Sequence, residues 1–336
     1  MKKLVERELG TLTFAASQTS TLQLPRDFSY DKISLLLLAN LTRAMTTPAG
    51  AARDLSGSQL ISRIEVRRNG REVLKSIDFE TLMRLNNIRN GAPQLRLLAG
   101  SAAAHAWDTG NANQSGIAFV LAAVLDFGMW NSVRRNDTLL DSTARGNVST
   151  LDLVITWGTG AATMTNLYTG TVTVNSASVA ISSSEYIDID SADDKYTPYA
   201  DNKEYGIRKV LTAANPKELI DLGVGNFFRS FVLRTKADQL NVNTILNNIT
   251  LRSGTDVIAM RSGAGLRATN KIECSVETFP DGYYLIELCK DGHLAKMLNT
   301  TNMSSLTLEL DVAVPGTENI IEVFPVEVVG AVKRVA

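Results

Sequence analysis

Ile64-Glu-Val-Arg-Arg-Asn-Gly-Arg-Glu-Val-Leu74 has a counterpart in the second half of the chain, Ile249-Thr-Leu-Arg-Ser-Gly-Thr-Asp-Val-Ile258. In each stretch, two runs with β-forming residues flank a turn signal, Asn69-Gly70 in the first and Ser253-Gly254 in the second. This pattern is typical of a β-hairpin. The two stretches therefore predict one structural unit that occurs twice.

The repeat extends over most of the chain, because four further segment pairs keep the same order. They are Arg7–Gly10 with Lys203–Gly206, Ser34–Leu38 with Ser230–Arg234, Phe119–Gly128 with Tyr283–Gly292, and Leu151–Gly158 with Leu306–Gly316. A repeat of this length indicates a duplicated domain rather than a solenoid. We predict an all-β chain with a first domain over residues 1–190, a linker over 191–201 and a second domain over 202–336.

The first half is longer than the second, and its extra residues fall in two places. The spacing of the paired segments puts one insertion at about residues 42–57 and a larger one at about residues 88–116. Both are rich in small residues such as Ala and Gly. Since surface loops tolerate insertions, we expect long loops there, in the first domain only.

Composition excludes some classes of function. The chain has 336 residues, 44% hydrophobic and 21% charged, with a net charge of −1. A protein that binds polyanions normally carries a basic surplus, so we expect no sequence-specific binding to nucleic acid. Glu6-Arg-Glu8 stands where a signal peptide would be apolar, and the longest apolar run, Leu35–Ala39, is too short to cross a bilayer. We expect the chain to be made and kept soluble in a cytoplasm.

Helices are few in this pattern. Asp78–Ile88 has an N-cap at Asp78 and apolar residues at Leu82, Leu85 and Ile88, so it is predicted to be helical. A second short helix is predicted near Lys290–Leu298, which gives one short helix per domain at most.

The two cysteines raise the question of a disulfide. Further turns are predicted at Asp281-Gly282 and Asp291-Gly292. If Asp281-Gly282 joins two strands of a hairpin, Cys274 and Cys289 face each other across it, within reach of a disulfide. In a reducing compartment the favoured interpretation is two small apolar thiols.

The residues that carry chemistry are scattered. His105 and His293 lie in unrelated parts of the two copies, and neither a phosphate loop nor a Gly-x-Ser-x-Gly elbow occurs. The best metal candidates form one acidic run, for which a solvated linker is the favoured interpretation because the run departs from an EF-hand loop. Its members are Asp188, Asp190, Asp193 and Asp194. We predict neither enzymatic activity nor a cofactor.

Interface candidates come from arginine and tryptophan. Arg63, Arg67 and Arg71 alternate along the first hairpin and would share one face, which would contact nucleic acid or an acidic neighbouring subunit; a solvated sheet face is the favoured interpretation. Trp107 and Trp130 lie near loops, where they would serve an interface. Trp157 ends an apolar alternation, so we expect it in the core.

A duplicated β-sandwich with long loops on one copy resembles the double-jelly-roll major capsid proteins of tailless icosahedral bacteriophages, the tectivirus- and corticovirus-like kind. The two hairpins at Ile64–Leu74 and Ile249–Ile258 carry the resemblance most directly. It implies two tandem jelly rolls and a homotrimer that presents six rolls as a pseudo-hexameric capsomer in an icosahedral virion. Its implied partners are neighbouring trimers, other capsid proteins such as a vertex protein, and an internal membrane.

Two other classes of function stay open at this stage. A tandem β-sandwich binding module, such as an adhesin or a carbohydrate-binding protein, would more often show a secretion signal and more aromatic residues than the 6% present. An enzyme on a β-sandwich, such as a glycosidase, needs paired carboxylates in a cleft. Asp126 and Asp291 sit beside glycines at near-equivalent positions of the repeat, which suits turns better than catalysis.

Overall fold

In the computed structural model, the described residues are 2–26, 29–45, 56–90, 96–97, 113–128, 148–163, 170–188, 201–274, 279–289 and 296–329. They divide into two compact units, one up to residue 188 and the other from residue 201. We call these units roll 1 and roll 2. Within these residues, no helix is long and apolar enough to pass through a bilayer. The predicted linker lies mostly outside them, so the domain boundaries stay predictions.

Roll 1 has two antiparallel sheets. Its strands are β1 (Lys2–Thr13), β2 (Thr19–Gln23), β3 (Ser29–Met45), β4 (Ile61–Arg68), β5 (Glu72–Ile77), β6 (Arg96–Leu97), β7 (Asn113–Asp126), β8 (Leu151–Trp157) and β9 (Gly170–Asp188). One sheet has the order β1-β9-β3-β7-β6. The other has the order β2-β8-β4-β5. Part of the predicted insertions is thus ordered, since β3 runs to Met45 and β7 starts at Asn113.

Roll 2 repeats this arrangement. Its strands are β10 (Asp201–Tyr205), β11 (Ile207–Leu211), β12 (Asn215–Leu222), β13 (Phe227–Ala237), β14 (Leu240–Asn241), β15 (Leu246–Ser253), β16 (Asp256–Ser262), β17 (Tyr283–Glu287), β18 (Leu298–Asn299), β19 (Leu306–Val312) and β20 (Asn319–Val329). In one sheet β20 pairs with β10, β11 and β13, and β13 pairs with β14, β17 and β18. The other sheet has the order β12-β19-β15-β16.

The registers confirm the duplication residue by residue. In roll 1, Ser182 of β9 lies opposite both Glu8 and Ser34. In roll 2, Val326 of β20 lies opposite both Glu204 and Ser230, which are the residues matched to Glu8 and Ser34 in the sequence repeat. β9 in roll 1 and β20 in roll 2 therefore pair with equivalent strands in the same register.

The registers in the second sheet of each roll show the same duplication. Ile64 of β4 pairs with Ile155, and its repeat partner Ile249 of β15 pairs with Leu310. At the end of the same strand pair, Trp157 lies opposite Ile61 in roll 1. Trp157 is only 1% exposed, its indole N–H donates to Ser20 Oγ at 2.9 Å, and so the prediction of a core position is confirmed.

One helix follows the hairpin in each roll. The first, α1 (Phe79–Asn90), begins as predicted, because Asp78 Oδ1 accepts from the Thr81 backbone N–H at 2.9 Å. The second, α2 (Gly263–Glu273), was not predicted; its N-cap is Ser262. The predicted helix near Lys290–Leu298 falls mostly outside the described residues, and its last residue lies in β18.

An asparagine fixes each helix to its sheet in the same way. Asn86 of α1 donates to the Val124 carbonyl at 2.9 Å and accepts from the Val124 N–H at 2.7 Å. Asn270 of α2 does the same with Leu285, at 2.8 and 2.9 Å. Both rolls thus satisfy two backbone groups of a strand with one amide side chain, and we call this contact the asparagine clamp.

The alternative that Cys274 and Cys289 face each other across a hairpin does not hold. Cys274 is the C-cap of α2 rather than a strand residue, and β17 pairs with β13, which lies on the far side of β15, β16 and α2 in the sequence. Asp281 and Gly282 do form a turn, with Gly282 at a φ of +74°, and among the described residues no strand leads into it as a hairpin partner of β17. Cys274 and Cys289 are free thiols.

Candidate functional site

The most exposed apolar surface of the described chain lies on roll 2, on the outer side of β16 and α2. Val257 and Met260 of β16 are 50% and 62% exposed, and Ile272 of α2 is 79% exposed. β16 is an edge strand, since β15 is its pairing partner among the described strands. We call the outer side of β16 and α2 the roll 2 face. Edge strands with exposed apolar residues are surfaces that proteins normally cover.

A groove of about 130 Å³ runs through the roll 2 face, between β16, α2 and β17. Met260, Leu266 and Leu285 supply apolar lining, and Thr269 and Glu273 add polar groups. Small-molecule sites usually have about 300–1,000 Å³ and enclose most of the ligand. The groove is therefore of a size that accepts one or two apolar side chains of a protein partner.

The charges of this face divide into fixed and exposed groups. Arg267 is fixed, because its guanidinium donates to the carbonyls of Pro280 at 2.6 Å and Tyr283 at 3.0 Å, and burial lowers its pKa. Arg261 and Lys271 are exposed cations on the same two elements. The two exposed cations are thus available to a partner with carboxylates.

Nucleophilic chemistry does not fit this surface. Cys274, at the end of α2, is half-buried, and burial together with the charges of Glu273 and Glu287 raises the pKa of its thiol to about 11. A thiol with so high a pKa remains protonated and unreactive near neutral pH. Within the described ranges, no group of three or more His, Cys, Asp or Glu side chains could hold a metal ion.

The equivalent surface of roll 1 is covered. Every described side chain of α1 is buried or half-buried, and the helix contacts the 3₁₀ helix Ser56–Leu60, which follows the first predicted insertion. Gln59 of that segment donates to Glu80 of α1 at 2.8 Å. In roll 2, the described elements that mainly contact α2 are β15, β16 and β17, and none of them covers the exposed side chains of Lys271 and Ile272.

A second open edge lies on roll 1. β1 pairs with β9 on one side and with no other strand among the described residues, and its residues 4–9 alternate between exposed and half-buried. Leu4 is 47% exposed, and the carboxylates of Glu6 and Glu8 point outward on the same face. This edge combines one apolar side chain with two acidic ones.

Of the three predicted interface arginines, Arg63 and Arg67 lie next to each other and Arg71 lies apart from them. Arg63 and Arg67 flank the buried Glu65, at 3.5 and 2.5 Å, so each contacts a carboxylate of its own strand, and their contact with a neighbouring subunit stays a prediction. Arg71 is exposed in the turn between β4 and β5. The remaining candidates lie outside the described residues, apart from Asp188, whose backbone ends β9. They are Trp107, Trp130, His105, His293, Asp190, Asp193 and Asp194.

Neither open edge was predicted from the sequence. The only signal available was weak: Val257, Met260 and Ile272 are apolar residues at positions where a solvated face would be polar. Such residues are as common in a core as on an interface, so the pattern alone does not tell the two apart.

No protein-family model and no curated protein sequence matches this chain. Solved structures match it over almost its whole length. The major capsid protein of STIV has a TM-score of 0.74 at 14% identity, with 98% of this chain and 97% of that chain covered. The major capsid protein P2 from bacteriophage PM2 has a TM-score of 0.63 at 13% identity, with 98% of each chain covered. The PBCV-1 virus capsid has a TM-score of 0.62 at 9% identity, with 98% and 94% covered.

These likenesses establish the fold. The chain is a double jelly roll, two tandem antiparallel sandwiches with one helix in each described roll, and this is the architecture of viral major capsid proteins. The prediction of fold class is confirmed. Function is a separate question, because one fold supports many functions.

Proposed function

We propose that this protein is a viral major capsid protein whose activity is self-assembly. The observation that carries the proposal is the full-length match of both rolls to major capsid proteins, 98% of this chain against 97% of the STIV protein. A binding module that had only one such sandwich in common with this chain would match about half of the chain. The two open edges add a physical reason, since they are surfaces that another copy would cover.

The proposed assembly unit is a homotrimer. Three copies of a double roll present six similar rolls, which make a pseudo-hexameric capsomer that tiles an icosahedral shell. A heterologous contact that closes after three subunits produces such a ring. The near-zero net charge of −1 permits dense packing without strong mutual repulsion.

The proposed role is structural rather than enzymatic, and its place is the virion after assembly in the host cytoplasm. Neighbouring trimers are the main partners, with other capsid proteins such as a vertex protein and an internal membrane as further partners suggested by the resemblance. Trp107, Trp130 and Arg71 stay candidates for these contacts, together with the outer sides of Arg63 and Arg67.

Light scattering on the purified native protein tests the proposal. We expect a mass near three times the 36.4 kDa of the chain, or larger shells, over a range of protein concentrations. Negative-stain electron microscopy of the same sample should then show particles with pseudo-sixfold outline. A monomer at every concentration would contradict self-assembly and favour the tandem β-sandwich binding module.

A further inference from the structure

The two rolls expose opposite edges. In roll 2 the strand after the hairpin turn, β16, is open, whereas its equivalent in roll 1, β5, buries Leu74, Lys75 and Ile77. In roll 1 the first strand, β1, has no buried residue among its described side chains, whereas its equivalent in roll 2, β10, buries Asn202 and Glu204. Of each pair of equivalent strands, β5 with β16 and β1 with β10, one is therefore exposed and the other buried in the same chain.

The two open edges are complementary in chemistry. β1 presents Leu4 together with the carboxylates of Glu6 and Glu8. The roll 2 face presents the exposed apolar side chains of Met260 and Ile272 together with two exposed cations, Arg261 and Lys271, and one exposed carboxylate, Glu273. Apolar groups would meet apolar groups and acids would meet bases. Such complementarity gives an interface its specificity and orientation.

We propose that β1 of one copy docks on the roll 2 face of the next copy. Leu4 lies over the apolar groove, and Glu6 and Glu8 meet Arg261 and Lys271. Because the two surfaces differ, the contact is heterologous: every copy offers one donor edge and one acceptor face, so a ring can close. This inference rests on the proposed self-assembly and specifies the surfaces that carry it.

Isologous dimers, which use the same patch twice, would follow if either edge recognised itself. The chemistry argues against this for both. Two β1 edges would place the carboxylates of Glu6 and Glu8 against like charges, and two roll 2 faces would bring together the cations Arg261 and Lys271 of each copy, in excess over the single carboxylate of Glu273. The complementary pairing avoids both repulsions.

Cross-linking between separately purified variants tests the direction of the contact. Glu6→Cys and Glu8→Cys donors are each mixed with Met260→Cys and Arg261→Cys acceptors under mild oxidation. We expect a disulfide dimer that contains one donor and one acceptor, and no such product from a donor alone, an acceptor alone or the wild type. Cross-linking of one variant with itself to the same yield would overturn the heterologous contact.

Charge reversal tests the same contact without cysteines. Glu8→Lys and Arg261→Glu are each expected to weaken association by about tenfold or more, and their combination to recover part of the loss. Lys217→Glu, an exposed cation on β12 at the opposite edge of the roll 2 sheet, is the matched control and should leave association unchanged. Circular dichroism checks that each variant is folded.

The outcomes separate the two proposals. A wild-type oligomer that gives no donor–acceptor cross-link and tolerates both reversals would overturn this inference and leave self-assembly intact. A wild-type chain that is monomeric at every concentration would overturn the proposed function, and this interface with it. A mass change with Arg261→Glu but not with Lys217→Glu, together with the mixed disulfide, supports the inference.

Discussion

Ile88 in α1 and Ile272 in α2 each stand two residues after the asparagine that clamps the helix to its sheet, yet Ile88 is 1% exposed and Ile272 is 79% exposed. The residue and its place in the helix are the same. The two helices differ in the elements that pack on them. α1 contacts the 3₁₀ helix Ser56–Leu60, whereas no described 3₁₀ helix packs on α2. Equivalent segments of a duplicated domain can thus cover a helix in one copy and leave it open to a partner in the other.

The largest expected effect lies at the core position that the two rolls fill differently. Trp157 and Val312 occupy equivalent ends of β8 and β19, opposite Ile61 and Leu246, and both are buried. Trp157→Ala should lower the free energy of unfolding by about 3–5 kcal/mol. Val312→Ala removes two buried methyl groups and should cost about 2 kcal/mol. Urea unfolding at one fixed protein concentration measures both, and equal losses would contradict the difference in packing.

The helix pair itself is tested by one substitution at two places. Ile88→Ala should cost about 2–5 kcal/mol, because it leaves a cavity in a covered site. Ile272→Ala should change the free energy of unfolding of the isolated chain by less than about 0.5 kcal/mol. The comparison fails if the two variants unfold at the same urea concentration.

The asparagine clamps differ in exposure, and so should their energetics. Asn270 is buried, so Asn270→Ala leaves the Leu285 N–H and carbonyl without partners and should cost about 2–3 kcal/mol. Asn86 is half-buried, so water can replace its amide and Asn86→Ala should cost less. Hydrogen exchange of the Leu285 and Val124 backbone N–H groups reports on the two clamps separately. If either single variant accelerated exchange at both N–H groups, the two clamps would be coupled.

The smallest expected effect is a dependence on pH in roll 2. Lys209 lies 2.6 Å from Glu218, and this contact is the main reason why the pKa of Glu218 is below its usual 4.5. The pair therefore stabilises the fold above pH 4.5, and the contribution disappears as pH falls through the lowered pKa. Since both groups are partly solvated, the effect should be below about 1 kcal/mol.

Glu218→Gln provides the test of that pair. The variant should lose the difference in stability between pH 7 and acid that the pair provides, and added salt should reduce the same difference in the wild type. β2, the equivalent strand of roll 1, has the sequence Thr-Ser-Thr-Leu-Gln and carries no titratable residue. If Glu218→Gln lost the same stability between pH 7 and acid as the wild type, the pH dependence would come from other groups.

Much of the fold could be read from local pattern. Strand alternation, the turn signals at Asn69-Gly70 and Ser253-Gly254 and the cap at Asp78 are short-range features, and each reappears where it was expected. α2 was missed because Gly263 and Gly265 lower helix propensity in its first turn. Gly263 is there for packing, since a Cβ at that position would lie 2.2 Å from the Leu246 carbonyl oxygen.

The candidate site was less predictable. The arginines of the first hairpin drew attention by number, but Arg63 and Arg67 serve Glu65 of their own strand. The proposed contacts instead use Glu6, Glu8 and Arg261, which are ordinary surface charges in the sequence. Their meaning comes from the strand edges on which they lie, and edges exist only once a sheet has formed.

By itself the sequence determined the duplication, the β class and the correspondence of strands, because hydrophobic alternation and turn residues act within a few neighbours along the chain. Only the tertiary structure decided which of two equivalent surfaces is buried. Ile88 and Ile272 hold the same place after the asparagine that clamps each helix, and their burial depends on segments that are distant in sequence and are brought together by folding. The open edges of β1 and β16 follow from the same cause, since solvent exposure is a property of the packed molecule.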